Sequence, residues 1–346
     1  MPPNFPETIR DEAELDEALT RPSAALIEFA RTLEGPLLVL GAGGKMGPSL
    51  AVLAKRAAAA AGRATEVTAV SRFTSEGARK WLEERGVRTI SCDLLDASAV
   101  AKLPEAPNII YLVGLKFGTA DDPSRTWAMN VVVPVRVAER YAHSRIVALS
   151  TGNVYPLSPV ARGGSVETDS LTPLGEYANS AIGRERIFQF YSQREKMPVA
   201  LLRLFYAVDL RYGVVMDIAR KVFHGESIDL ANGHFNTIWQ GDANEMILRS
   251  LDLASAPASV FNLCRAEICS VRAVATRLGE IFNRQPKFNG TESETALIAN
   301  ANALASRLGP PATSMETILK WAAHWVSAGG RDLGKPTHFE ERTGKY

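Results

Sequence analysis

The sequence predicts an α/β fold: a doubly wound parallel sheet, a smaller mixed C-terminal lobe, and a short helical extension at the N-terminus. Three observations predict it. Short apolar runs alternate with longer amphipathic stretches from residue 37 to about 210. Runs such as LLVL (37–40), NIIYLV (108–113) and RIVALS (145–150) lack strict polar alternation, as strands buried on both faces should. Beyond about residue 210 the pattern loosens. Strand–helix alternation with right-handed crossovers puts helices on both faces of a parallel sheet.

Residues 1–34 form the extension. Its helical stretch, 11–33, has Leu15, Leu19, Leu26, Phe29 and Leu33 as apolar points and breaks at Pro22. Residues 35–210 form the sheet domain, with strands expected at 37–40, 66–70, 87–92, 108–113, 145–150 and 198–205. Helices are expected at about 46–61, 75–85, 123–142 and 176–195. Pro48 suits the first turn of the first of these, Gly62 stops it, and Gly86 stops the second. Residues 211–330 form the smaller lobe. It has helical patterns at 211–225, 270–283 and 314–329, another within 238–254, and a short strand at 260–263. Residues 331–346 are a polar tail, read as a surface arm.

Composition excludes several classes. Lys and Arg total 39 against 38 Asp and Glu, so nothing electrostatic recommends nucleic acid or an anionic membrane as a partner. The 3 cysteines, Cys92, Cys264 and Cys269, have no metal-ligand spacing and make no disulfide framework. No metal is expected, and a reducing compartment, the cytoplasm, fits best. The acidic, Pro-rich start lacks the pattern of a signal peptide. No apolar run approaches the roughly 20 residues that span a bilayer.

The strongest motif is LLVLGAGGKMGPSL (37–50). Gly41, Gly44 and Gly47 recur every third residue between a strand and a helix, with Lys45 and Met46 among them. Glycine there permits a tight turn, close approach of backbone to a pyrophosphate, and close strand–helix packing. The helix start then offers free N–H groups and a positive dipole end. The bland alternative is a tight turn with no ligand.

From this loop onward, over roughly residues 35–330, the chain resembles the short-chain dehydrogenase/reductase superfamily. The likeness is to its extended branch of NAD-dependent epimerases and dehydratases. Two later segments, VALSTGNVYP (147–156) and GEYANSAIGRERIF (175–188), carry the resemblance further. It implies a Rossmann domain binding NAD(P). Where an acidic residue would hold the adenosine ribose, this chain has Ser71 and Arg72. Arg72 can pair with a 2′-phosphate, which favours NADP over NAD; the alternative is a solvated loop arginine. The resemblance sets Asp93 near the adenine and Leu94 as packing, with Asp93 alternatively a helix N-cap. Lys116, in VGLKFG, falls on a lysine that contacts cofactor, and is otherwise a solvated loop residue.

The resemblance assigns catalysis to Thr151, which would hydrogen-bond the reacting oxygen, and to Tyr177, the general base. Thr151 alternatively makes an ST-turn. Ser150 and Tyr155 are expected to bond locally. A tyrosine has a pKa near 10, so it needs perturbing to act near neutrality. The family supplies a lysine four residues on, one turn away on the same face. Here that residue is Ala181. Either another cation serves, with Lys116 the candidate, or the chemistry needs no ionised tyrosine, or catalysis is lost. Arg184 lies on a similar face but exchanges protons poorly.

Asn130 matches a family asparagine and is expected to accommodate a kink near Pro134. Substrate contacts are expected from Thr151, Asn153, Arg211, Tyr212 and Trp239, near Asp209, Gln240 and Asp242; lobe packing is the alternative for the wall residues. The resemblance also implies a homodimer through the helices carrying Trp127, Val131, Val135 and Ala138, which alternatively face the sheet. The expected function is NAD(P)-dependent epimerase, dehydratase or reductase chemistry by hydride transfer on a sugar or sugar-nucleotide hydroxyl or ketone. The alternative is a catalytically silent NAD(P)-binding protein, a redox sensor or assembly partner.

Overall fold

The structure is a computed structural model that describes residues 6–74, 76–116, 118, 119, 121–335 and 337–344. Its centre is a seven-stranded parallel sheet. The strands are β1 (Leu37–Leu40), β2 (Val67–Ser71), β3 (Arg88–Ser91), β4 (Asn108–Tyr111), β5 (Arg145–Thr151), β6 (Val199–Leu204) and β7 (Ser259–Leu263). Their spatial order is β7-β6-β5-β4-β1-β2-β3. The order reverses between β1 and β4, the switch point at which sheets of this kind bind ligands, at the carboxyl ends of the strands.

The inner strands β1, β2 and β4 are buried on both faces, whereas the edge strand β3 is not. Leu37 and Val39 pack on one side with Leu50 and Leu53; Leu38 and Leu40 pack on the other with Tyr111, Val137 and Phe188. The helices are α1 (Glu12–Thr20), α2 (Ala24–Thr32), α3 (Gly47–Ala60), α4 (Glu76–Glu83), α5 (Ala97–Ala101), α6 (Pro123–Trp127), α7 (Val133–Arg140) and α8 (Gly175–Glu195). The smaller lobe adds α9 (Val214–His224), α10 (Gln240–Arg249), α11 (Val271–Phe282), α12 (Asn302–Leu308) and α13 (Met315–Ser327).

Four departures from the sequence reading matter. The strand expected in the smaller lobe is β7, which pairs with β6 in the central sheet (Ser259↔Ala200 to Leu263↔Leu204). A short apolar run carries no mark of the sheet it will join. The helix expected at 123–142 is divided by a π-helical turn, Ala128–Val132, just before Pro134 in the first turn of α7. A proline lacks the N–H that regular helix bonding requires, and the wider turn accommodates it.

The extension does more than precede β1. Leu15 and Leu19 enter the core of the smaller lobe, whereas Leu26 and Phe29 enter the sheet core. The tail, read as a surface arm, is anchored. Phe339 is 0% exposed, its carbonyl accepts from Asn232 Nδ2 at 2.5 Å, and Thr337 Oγ1 donates to Asp217 at 2.6 Å. One buried aromatic outweighs the polar neighbours that dominate the tail's composition.

Candidate active site

The phosphate loop leaves β1 through Gly41 at φ +84°, a conformation that suits glycine. Its N–H donates to Val70 O at 2.9 Å, and a Cβ there would lie 2.9 Å from the Val113 nitrogen. Gly47 starts α3 against Ala42, 2.5 Å from where its Cβ would stand. Gly43 and Gly44 face solvent, and a Cβ on Gly44 would meet only Gly41 O, at 3.4 Å. Met46 is buried and its side chain does not cap α3. The first N–H groups of that helix are therefore unclaimed by a side-chain cap, beside two bare glycines. This loop fits a pyrophosphate.

Lys45 does not turn outward. Its Nζ donates to Ala207 O at 2.9 Å and lies 4.1 Å from the centroid of the Tyr212 ring. Burial pushes this ammonium down to about 7, against the pull of Asp209.

At the adenine end, Ser71 closes β2 against Gly43, whose Cβ would lie 2.5 Å from the Ser71 hydroxyl. Arg72 is exposed. Asp93 is exposed and accepts from Leu95 N at 3.0 Å; Leu94 is buried. The N-cap alternative for Asp93 is corrected: Asp96 caps α5, accepting from Ser98 N and Ala99 N. Asp93 sits one turn too early.

At the reaction end, β5 carries Thr151 to the sheet edge, and the first turn of α8 carries Tyr177, which is 9% exposed. Thr151 Oγ1 accepts from Asn153 N at 3.2 Å and contacts Asn153 Oδ1 at 3.1 Å, so the ST-turn is formed. Ser150 and Tyr155, expected to bond locally, are buried and bond to side chains distant in sequence. Ser150 Oγ donates to Glu185 at 2.6 Å, and Tyr155 OH donates to Asn262 at 2.9 Å while accepting from Arg203 at 2.6 Å. Arg203 and Glu185 form a buried ion pair at 2.7 Å.

Asn130, in the π turn, is the hub of this end. It accepts from Leu115 N at 2.9 Å and from Arg184 Nη2 at 2.7 Å. It donates to Leu115 O at 3.1 Å and to Ser180 Oγ at 2.9 Å. Ser180 in turn donates to Tyr177 O at 2.9 Å. One asparagine thus fixes the backbone next to Lys116 against the turn carrying Tyr177. Lys116 is half-buried, and burial pushes it down to about 8.

Ala181 is fully buried in an apolar cluster with Val154, Tyr155 and Phe205. The Phe205 ring lies where a Cβ on Gly152 would stand. The small residues Gly152 and Ala181 make room for that ring.

The expected wall divides. Half-buried Tyr212 lies under Lys45, and burial pushes its phenol up to about 12. Arg211 is already engaged by acids, Asp209 at 2.7 Å and Glu12 at 3.3 Å. Trp239 is corrected as a substrate contact: it is 1% exposed and packs edge-on against Trp321, 5.1 Å between centroids. Gln240 is buried and donates to Ser49 Oγ, and Asp242 accepts from Thr313. Ala138, expected on a dimer face, is buried, whereas Trp127 and Val132 are each 40% exposed.

Sequence reasoning missed three contributors: the inward course of Lys45, the grip of the extension on Arg211, and the tail beside Gly175. A Cβ on Gly175 would strike Gly344 O. The acidic pair Glu12 and Asp16, one helical turn apart, was the available signal for the second.

Fold and site define an enzyme of the extended short-chain dehydrogenase type. The chain belongs to the NAD dependent epimerase/dehydratase family, whose model matches residues 37–233. Similar solved structures include UDP-glucose 4-epimerase from Thermotoga maritima with UDP-glucose (17% identity, TM-score 0.69, covering 85% of this chain and 99% of that one). UDP-glucose 4-epimerase from Thermus thermophilus with NAD is another (18%, TM-score 0.68, 85% and 99%). A third is UDP-glucuronic acid 4-epimerase from Bacillus cereus with UDP-glucuronic acid and NAD (17%, TM-score 0.69, 84% and 99%). No curated protein matches the sequence. Among the described residues no helix is long and apolar enough to cross a membrane.

Proposed function

We propose that this protein carries out NAD(P)-dependent epimerase, dehydratase or reductase chemistry on a hydroxyl or ketone of a sugar or sugar nucleotide. The observation that supports this reading is the hydrogen-bonded frame Leu115–Asn130–Ser180–Tyr177, which ties the turn carrying Tyr177 to the backbone beside Lys116. A bound nicotinamide supplies hydride acceptance and return. Gly41, Gly43, Gly44, Gly47 and the start of α3 hold its pyrophosphate, with Lys45 and Met46 in the same loop. Leu94 and Asp93 flank the adenine. Tyr177 takes the hydroxyl proton as the carbon–hydrogen bond breaks, and Thr151 holds that oxygen. Lys116 supplies positive charge that Ala181 does not. Asn153, Arg211 and Tyr212 line the substrate side.

Exposed Arg72, with Ser71 in place of a carboxylate, favours a 2′-phosphate and hence NADP. The working boundaries are a dinucleotide domain at 35–210 and a substrate lobe at 211–330. Buried, free cysteines suit a cytoplasmic setting. Exposed Trp127, Val132 and Phe190 support a homodimer through the α6–α7 and α8 helices.

The test is spectroscopic and kinetic. Sugar nucleotides added to NAD- or NADP-loaded protein should change the nicotinamide absorbance. Tyr177→Phe should slow turnover by about two to four orders of magnitude, the usual worth of acid–base assistance. A full substrate panel without turnover, but with dinucleotide bound, would favour the second reading. That reading is a silent NAD(P)-binding sensor or assembly partner, and the apolar setting of Ala181 speaks for it.

A further inference from the structure

Arg184 is a buried cation with no counter-ion among the described residues. It is 4% exposed and, among the described residues, forms no ion pair. Nη1 donates to Leu149 O at 2.9 Å and Nη2 to Asn130 Oδ1 at 2.7 Å, both neutral acceptors. Its Nε has no partner among the described residues. The nearest carboxylate in sequence, Glu185, is committed to Arg203 and Ser150. Asp209 is committed to Arg211. Burying an unpaired charge is costly, and a guanidinium does not escape the cost by losing its proton.

The location of this charge gives it a use. Gly114 is exposed just beyond β4, and Arg184 Nη2 lies 2.7 Å from where its Cβ would stand. Leu149 lies two residues before Thr151 on β5. The guanidinium is therefore immediately beneath the cleft floor, at the strand edge where a dinucleotide crosses. Oxidised and reduced nicotinamide differ in charge at one place: the oxidised ring is cationic and the dihydro ring is neutral.

We propose that Arg184 makes this cleft discriminate between redox states, binding reduced nicotinamide dinucleotide in preference to the oxidised form. This rests on the dinucleotide reading above. A fixed positive charge under the floor repels the cationic ring and is indifferent to the neutral one. By the same term it favours the half-reaction in which substrate gives up hydride. The other cations of this region are Lys45, whose Nζ is held by Ala207 O and the Tyr212 ring, and Lys116; burial lowers the pKa of both.

The experiment is calorimetric titration of the full chain with oxidised and reduced NAD and NADP, for the parent, Arg184→Met and Arg184→Lys. The parent should bind the reduced form about ten-fold tighter or better, the size of a unit-charge interaction at about 10 Å and an effective dielectric of about 20. Arg184→Met should shrink that ratio by about ten-fold, and Arg184→Lys should keep most of it. An unchanged ratio in Arg184→Met overturns the proposal. If that variant does not fold, the parent alone decides, because oxidised dinucleotide bound as tightly as reduced also overturns it. Failure of both forms to bind overturns the dinucleotide reading itself, a distinct result.

Discussion

Lys45 lies across the face of Tyr212, with Nζ 4.1 Å from the ring centroid and bonded to Ala207 O. A phosphate-loop residue is thereby fastened to the wall that follows β6. Cation–π contact and a backbone acceptor hold the ammonium where water would otherwise solvate it.

This latch predicts pH dependence. Burial places Lys45 at about 7 in the folded protein, against 10.5 for an ordinary lysine. Between those values the unfolded chain binds the extra proton, so stability rises with pH across that window. Lys45→Met should flatten the rise, leaving the smaller slope due to Lys116. A bound anion draws the proton back, so dinucleotide binding just above neutrality should take up a proton. Calorimetry in buffers of different ionisation enthalpy reads that uptake; an equal uptake in Lys45→Met rules the latch out as its source.

Two glycines of the loop should behave differently. A Cβ on Gly44 would meet only Gly41 O, at 3.4 Å. Gly44→Val should therefore fold with a near-parental melting temperature and lose dinucleotide binding. A side chain on Gly47 collides with Ala42 at 2.5 Å, so Gly47→Val should lower the melting temperature as well. Undiminished dinucleotide affinity in Gly44→Val would move the pyrophosphate elsewhere.

Restoring the family lysine should fail. Ala181 is enclosed with Val154, Tyr155 and Phe205. Ala181→Lys should cost about 1–3 kcal/mol from overpacking, with the buried ammonium adding to it. Denaturant unfolding measures this. An unchanged midpoint, together with faster turnover, would show that Phe205 yields and the site accepts the lysine.

The tail should matter for stability. Phe339 is fully buried in the smaller lobe, and Phe339→Ala should cost about 3–5 kcal/mol in equilibrium unfolding. A loss under about 1 kcal/mol, the range of ordinary surface substitutions, would mean that the tail is only loosely held.

Much of the fold was legible because its signals are local. Apolar runs without alternation marked β1, β4 and β5, and the Gly41–Gly44–Gly47 spacing between strand and helix marked the loop. The break at Pro22 and the disturbance before Pro134 followed from proline's missing N–H. Thr151 and Tyr177 were proposed as catalytic from family resemblance, not from any local physical signal.

What the sequence by itself determined was the strand–helix alternation of the sheet domain, the long helices of the smaller lobe, the glycine loop and the missing lysine, each set by periodicity or by a residue's own type. Tertiary structure decided which distant groups share a site. The β6–β7 pairing brought Ser259–Leu263 into the sheet. The fold of the lobes sent Lys45 to Tyr212, Glu12 to Arg211, and Trp239 into the core against Trp321. It also left Arg184 without a carboxylate, because Glu185 turns to Arg203 on β6. The physical reason is range: backbone preference acts over a few residues, whereas a buried charge is matched, or left unmatched, only by the side chains that packing brings beside it.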